Sequence, residues 1–165
     1  MPNYSMDHDK DYWQSPERFR SMFESAATIG NKASLFALGD PNNDETPMVF
    51  VLKMEPGFVL TAHAHPCERL EVIVRGSLEV GGRTLYPGDV LTAAANEIYG
   101  PKVAGPEGCT TVEVFAKATG AYLRITESAD GRRTTTNLME AFAVGFAEQI
   151  QRHQAKLAAQ GQQPA

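Results

Sequence analysis

The fold of this chain is decided by residues 56–77, PGFVLTAHAHPCERLEVIVRGS. The stretch begins with a Pro56-Gly57 turn and then places His63 and His65 two residues apart. In an extended strand, side chains two residues apart point to the same face. We therefore predict that the two imidazoles lie side by side on one face of a strand.

Charge and hydrophobicity alternate in the second half of this stretch. Three odd-numbered positions carry charge and the even-numbered positions are apolar: Arg69, Glu71 and Arg75 against Leu70, Val72 and Val74. Alternation alone predicts a strand whose charged face is solvated and whose apolar face is in the core.

Short apolar runs bounded by turn residues extend in both directions from this strand. They occupy residues 34–38, 48–52, 77–80, 83–86, 110–116 and 121–126. The Gly81-Gly82 pair predicts a two-residue hairpin, because the favoured hairpin turns need positive φ, which glycine adopts at little cost. Strands at this spacing, with Gly/Pro turns and no long helix between them, are typical of an all-β antiparallel sandwich or barrel.

Helices are predicted only at the two ends of the chain. Ser15-Pro16 is typical of a helix start, and apolar residues follow it at helical spacing. Asn137 is predicted to cap a C-terminal helix with an apolar stripe, formed by Leu138, Phe142, Phe146 and Ile150. We predict a single domain in three zones: an N-terminal arm at 1–31, a barrel at 32–126, and a C-terminal helix and tail at 127–165.

Composition restricts the partners. The chain has 165 residues and a formal net charge of −5, so it has no general attraction for nucleic acid or anionic lipid. No apolar run is long enough to span a bilayer, and the polar N-terminus lacks the features of a signal peptide. We therefore predict a cytoplasmic protein that binds neither nucleic acid nor membrane, with Cys67 and Cys109 as reduced thiols.

Residues 57–76 resemble the first sequence motif of the cupins. Gly57, His63, His65 and Gly76 occupy motif positions, whereas Arg69 occupies the position of the motif glutamate. A weaker match to the second motif begins at Gly88 and places Ala94, Asn96, Tyr99 and Val103 at its remaining positions, so that Tyr99 replaces the motif histidine. The resemblance implies a small jelly-roll-like β-barrel with a polar cavity, and it places Arg69 toward that cavity, against the simple alternation.

The resemblance also implies a divalent transition metal, which cupins commonly bind through two histidines, a glutamate and a further histidine. We predict that His63, His65 and Glu71 bind iron, manganese, nickel or zinc, because imidazole and carboxylate donors suit these ions. Four other residues remain open as the third ligand: Glu68, Tyr99, Glu113 and Cys67. No organic cofactor is predicted, and the alternative is that the histidines line a pocket without metal.

Three functions remain open at this point. The first is a metal-dependent oxygenase, isomerase or lyase that acts on a small acidic substrate. The second is a non-catalytic ligand-binding or sensing protein whose ligand contacts are Arg69, Tyr99 and Glu113, with Arg69 either binding an anion or pairing with Glu71. The third is an epimerase-like enzyme that pairs a histidine with Tyr99. A homodimer is predicted, because the apolar faces of the terminal helices offer surface for assembly.

Overall fold

A computed structural model describes residues 4–161 and contains nine β-strands. The strands are β1 (Lys32–Ala37), β2 (Met48–Met54), β3 (Val59–Leu60), β4 (Arg69–Val80), β5 (Arg83–Leu85), β6 (Val90–Ala93), β7 (Lys102–Phe115), β8 (Leu123–Glu127) and β9 (Arg133–Asn137). Four α-helices accompany them: α1 (Arg20–Ser25), α2 (Ala118–Tyr122), α3 (Leu138–Gly145) and α4 (Ala147–Ala159). Three short 3-10 turns, Lys10–Tyr12, Glu17–Phe19 and Ala26–Ile29, complete the N-terminal part.

All strand pairs are antiparallel, as predicted. Seven strands form one sheet in the order β1-β2-β7-β4-β5, with β3 paired to β7 and β6 paired to β4, while β8 and β9 form a separate hairpin. Within residues 4–161 no strand pairing joins the two ends of this sheet. The mostly β, antiparallel character is confirmed, and closure into a barrel stays a prediction.

The hairpin turn predicted from Gly81-Gly82 is confirmed. Val80 pairs with Arg83, and the intervening Gly81 and Gly82 both have positive φ, at 57° and 73°. Asn96, at one of the positions of the second motif, also has a positive φ of 64°. Asparagine tolerates this conformation better than most residues do.

The long strand β4 does not keep its alternation to the end. Its pairing with β7 shifts register between Ile73 and Arg75. Such a bulge rotates the following side chains relative to the sheet, and Arg75 is exposed and paired with Asp7. Arg69 and Glu71, before the bulge, are buried and face inward. The solvated charged face that alternation predicted is therefore wrong for these two residues.

The prediction of helices only at the ends is wrong at two places. Helix α2 lies between β7 and β8, where a strand had been predicted from residue 121. The predicted C-terminal zone begins instead with strand β9, and its helix is divided into α3 and α4 near Gly145. Glycine is a weak helix former, and a Cβ at Gly145 would lie 2.6 Å from Leu138 Cδ2. The predicted cap is confirmed, since Asn137 Oδ1 accepts a hydrogen bond from Met139 N.

The terminal helices pack on the chain's own sheet. Phe19, Met22 and Leu138 are buried in one apolar cluster, and Phe142 and Phe146 pack against it. The apolar faces that suggested a dimer are therefore partly covered within one chain, with Phe142 and Phe146 half-buried. The homodimer stays an untested prediction. None of the helices formed by residues 4–161 is long and apolar enough to cross a membrane.

Candidate functional site

The two histidines lie side by side, as their spacing predicts. The backbone of His63 pairs with Tyr99, and the backbone of Ala64 pairs with Ile125 on the other side. These pairings hold the segment extended, so the rings of His63 and His65 share one face with their centroids 5.0 Å apart. Both rings line the same cavity.

Hydrogen bonds define the protonation of both rings. His63 Nδ1 lies 2.7 Å from the Thr61 carbonyl oxygen, and His65 Nδ1 lies 3.1 Å from the Leu123 carbonyl oxygen. Because a carbonyl oxygen only accepts, each Nδ1 carries the hydrogen and donates it. Nε2 of each neutral ring therefore carries a lone pair that can accept a hydrogen bond. His63 Nε2 accepts one from the Tyr99 hydroxyl at 3.0 Å.

Both imidazoles are held neutral. Burial lowers the pKa of His63 well below its ordinary value, and the neighbouring His65, Arg124 and Lys102 lower it further. Burial and then Arg69 lower the pKa of His65 to about 3. A general base works best with a pKa near the operating pH. These rings are therefore suited to accept and donate hydrogen bonds rather than to abstract protons.

Beside the histidines lies a buried network of four charged residues. Glu71 accepts hydrogen bonds from Lys102 Nζ at 2.9 and 3.0 Å and also from Arg69. Arg69 Nε donates to Glu113 at 2.9 Å, and Thr111 contacts the other Glu113 oxygen. None of the four charged side chains is more than 6% exposed. The two positive and two negative charges balance each other, and buried charges in proteins are usually paired in this way.

The network raises the pKa of Arg69 and lowers that of Glu113. Burial opposes the charged form of both residues, but the carboxylates around Arg69 outweigh it, and Arg69 and Lys102 outweigh it at Glu113. The internal Arg69–Glu71 pair, one of two predicted outcomes, is thus present. Arg69 also pairs with Glu113, so its guanidinium already contacts two carboxylates.

Tyr99 connects this network to the histidines. Its ring lies under the Arg69 guanidinium, 4.4 Å from Cζ to the ring centroid, and Lys102 Nζ lies 5.3 Å from the same centroid. Burial raises the pKa of Tyr99 well above its ordinary value, so its side chain is a neutral phenol. The epimerase-like hypothesis pairs a histidine with Tyr99, and His63 Nε2 does contact the Tyr99 hydroxyl. The partner of His63 Nδ1 is the Thr61 carbonyl and not a carboxylate that would make the ring a stronger base.

The donors do not complete a metal site as they are arranged. Both oxygens of Glu71 accept hydrogen bonds from cations, and the lone pair of His63 Nε2 is occupied by Tyr99. Glu68 is exposed, while Cys67 is buried in the apolar cluster. Over residues 4–161 no group of three His, Cys, Asp or Glu side chains is placed to bind a metal ion.

The cavity lined by the histidines is enclosed largely by apolar side chains. Its volume is about 80 Å³. The apolar lining comes from the sheet and from the N- and C-terminal helices: Met22, Phe23, Ala26, Ile29, Ala33, Phe50, Leu52, Leu60, Phe115, Ala121, Leu138, Phe142 and Phe146. The polar lining is limited to His63, His65, Glu113, Asn31 and Arg124. Ligand pockets in proteins have this character, with a mostly apolar wall and a few placed polar groups.

Arg124 and Lys102 are site residues that the sequence reasoning did not identify. Arg124 lies on β8 within AYLRIT, between Leu123 and Ile125, and is 2% exposed. Glu113 and Arg124 are both charged residues flanked by apolar ones in a strand. This pattern, which favours Glu113 as an inward-facing residue, favours Arg124 equally. Lys102 follows a Gly-Pro turn at the start of β7 and had no such pattern.

Comparison with solved structures supports the fold. The chain is similar to an RmlC-like cupin protein from Ralstonia eutropha JMP134, with a TM-score of 0.51 and 17% identity over 82% of this chain and 79% of that one. It is also similar to an acetylacetone dioxygenase from Acinetobacter johnsonii, with a TM-score of 0.50 and 16% identity over 72% of this chain and 78% of that one. No protein-family model and no curated protein sequence matches the chain.

The sheet, the paired histidines and these similarities together define a protein with the cupin fold. At this level of identity the similarity establishes the fold alone, because proteins with one fold can carry many different functional sites.

Proposed function

We propose that this cupin-fold protein binds a small, mostly apolar molecule in the cavity beneath helices α1 and α3. The cavity itself supports this proposal: an apolar wall surrounds His63, His65 and Arg124. Its volume of about 80 Å³ restricts the ligand to a small molecule. The ligand class that fits is therefore a small organic molecule with a short hydrocarbon body.

The polar residues support binding more than acid–base catalysis. His63 and His65 are neutral and poorly basic, and Tyr99 is a phenol that already donates to His63. Arg69 and Glu113, which were predicted to contact the ligand, are paired with each other. Of the three residues predicted to contact the ligand, Glu113 lines the cavity, and Arg69 and Tyr99 are not among its lining residues.

The test is ligand binding to the wild-type protein and to a variant whose cavity is filled. Ala33→Met places a longer side chain from β1 into the cavity, whereas Ala37→Met is a matched change on the same strand outside the lining. We expect NMR titration with short carboxylic acids, amides and alcohols to show saturable binding to the wild type and to Ala37→Met, with loss of binding in Ala33→Met. Absence of binding to the wild type by every member of the panel would refute the proposal.

A metal-dependent enzyme is a second candidate, and one observation favours it. Metal-binding histidines commonly donate one ring N–H to a carbonyl and present the other nitrogen to the metal, and both His63 and His65 donate Nδ1–H in this way. Among the described residues around the histidines, no third metal-ligating atom is free. Metal binding would require the Tyr99 hydroxyl to break its hydrogen bond with His63 and a carboxylate such as Glu71 to break its ion pairs.

Metal content separates the two candidates. Wild-type protein grown with iron, manganese, nickel and zinc would contain about one metal per chain if the second candidate is right, and a His63→Ala/His65→Ala double variant would contain none. A His8→Ala/His153→Ala variant is the matched control, since neither residue lines the cavity. A wild-type content well below one per chain, unchanged in the double variant, would rule out the metal site.

A further inference from the structure

Arg124 is a buried cation without a counter-ion. Arg124 is only 2% exposed, and none of the ion pairs found within residues 4–161 includes it. The charge of Glu148 acts on Arg124, but Glu148 is paired with Arg152. One terminal nitrogen donates to the carbonyl oxygen of Gly145, and the other contacts the carbonyl and hydroxyl oxygens of Thr61. Buried charges are ordinarily paired, so this arginine is an exception that calls for a partner.

The guanidinium is also incompletely hydrogen-bonded. Arg124 Nε is buried and has no acceptor. Over residues 4–161, only one other buried side-chain atom lacks a hydrogen-bond partner, namely Asn31 Oδ1. Both residues line the same cavity. Unsatisfied buried polar atoms are rare in folded proteins. Arg124 Nε is a donor that an acceptor on a ligand would satisfy, whereas Asn31 Oδ1 is an acceptor and would need a donor.

The local structure holds Arg124 in place for this role. The break between α3 and α4 leaves the Gly145 carbonyl free to accept from Arg124. Phe146 lies against the guanidinium face, with Cζ 4.6 Å from the ring centroid. Gln149 donates to the Thr61 hydroxyl at 3.0 Å and so holds in place the hydroxyl oxygen that Arg124 contacts. The side chain is therefore ordered before any ligand binds, and pre-ordering reduces the entropic cost of binding.

The charge around the cavity favours a monoanion. Arg69 and Lys102 are paired with Glu71 and Glu113. Among the described arginines and lysines around the cavity, Arg124 is therefore the one whose positive charge is not paired with a carboxylate. A carboxylate carries one negative charge and accepts hydrogen bonds, so one of its oxygens suits Arg124 Nε, the guanidinium nitrogen that has no acceptor. A phosphate monoester carries about −1.5 to −2 at neutral pH and would be left partly unpaired.

We propose that Arg124 binds the carboxylate of a small aliphatic acid whose hydrocarbon part occupies the apolar cavity. This inference rests on the proposed function and specifies the ligand class for the same cavity. The anchor is Arg124 rather than Arg69, because the guanidinium of Arg69 already contacts Glu71 and Glu113.

The test compares butyrate with butyramide, which has the same number of non-hydrogen atoms and no charge. We expect butyrate to bind the wild-type protein about tenfold more tightly than butyramide, as a charge-assisted hydrogen bond predicts. In Arg124→Gln this preference should disappear while butyramide still binds, which also shows that the variant is folded. Arg83→Gln removes an exposed positive charge and should keep the preference.

The outcomes distinguish the two proposals. Equal binding of butyrate and butyramide to the wild type would refute the role of Arg124 and leave the ligand cavity standing. A preference for butyrate that survives in Arg124→Gln would also refute that role. Binding of neither molecule, nor of any other member of the panel, would refute the cavity proposal and this inference with it.

Discussion

Two buried arginines, one of which lines the cavity, differ in their partners. Arg69 on β4 contacts Glu71 and Glu113, and these carboxylates raise its pKa despite burial. Arg124 on β8 contacts only carbonyl and hydroxyl oxygens, and burial lowers its pKa to about 10. Both guanidinium groups remain charged at neutral pH, but only one of them is neutralised by the protein.

The difference teaches how a buried charge can indicate function. An arginine with carboxylate partners is part of the structure, because removing it leaves those carboxylates without a counter-ion. An arginine without such partners lowers stability unless a ligand completes it, and such residues persist where binding benefits from them. The region around Arg69 therefore supports the cavity, and Arg124 is the group in it that is free to bind an anion.

The largest effect on the free energy of unfolding is expected when Arg69 is removed, and a smaller one when Arg124 is removed. Arg69→Met leaves Glu71 and Glu113 buried with only Lys102 as a counter-ion, so we expect a loss of about 3–5 kcal/mol in the free energy of unfolding. Arg124→Met leaves no carboxylate unpaired and should cost clearly less. Urea denaturation of both variants measures the difference, and a loss in Arg124→Met equal to that in Arg69→Met would remove the distinction between the two regions.

An intermediate effect on the free energy of unfolding is expected when the pH is lowered. His63 and His65 stay neutral in the folded chain, because burial and the cations Arg69, Lys102 and Arg124 lower their pKa values. Below the ordinary histidine pKa of about 6.5 the unfolded chain binds protons that the folded chain does not, so stability rises with pH there. As the pH falls from 6.5 to 5, each histidine should therefore lower the free energy of unfolding by up to about 1.4 kcal/mol per pH unit.

This pH range isolates the histidines from the carboxylates, whose ordinary pKa values lie near 4. A His65→Gln variant should show a shallower dependence between pH 5 and 6.5, while His8→Gln, at an exposed residue, should follow the wild type. An unchanged slope in His65→Gln would mean that this ring titrates equally in the folded and unfolded chains.

The smallest effect is expected at Tyr99, which lies between the histidines and the paired network. Tyr99→Phe removes the hydroxyl that donates to His63 Nε2 and keeps the ring under Arg69. We expect a loss of about 1 kcal/mol in the free energy of unfolding, the typical value of one hydrogen bond. Tyr86→Phe, at a residue 60% exposed, should change it by less than about 0.5 kcal/mol, and equal effects in the two variants would refute the structural role of the Tyr99 hydroxyl.

Local patterns predicted the sheet and part of the site. The spacing of His63 and His65, the Gly81-Gly82 hairpin and the Asn137 cap depend on neighbouring residues alone, and the structure confirms each. The burial of Arg69 followed from the family resemblance and not from alternation, because a polar cavity inverts the usual rule for a two-faced strand.

Contacts between distant parts of the chain were not predictable in the same way. Lys102 pairs with Glu71 across β4 and β7, and Arg124 reaches Thr61 and Gly145 from β8. These partners depend on the sheet order and on the break between α3 and α4. The sequence pattern showed neither, since it predicted one continuous C-terminal helix.

The most direct test of the account is to observe both arginines while a carboxylate binds. The Nε–H resonances of Arg69 and Arg124 can be assigned with the Arg69→Met and Arg124→Met variants and followed by NMR as butyrate is added. The account predicts that the Arg124 resonance shifts and saturates with the binding curve, while the Arg69 resonance keeps its position. A saturating shift at Arg69 with an unchanged Arg124 would contradict it.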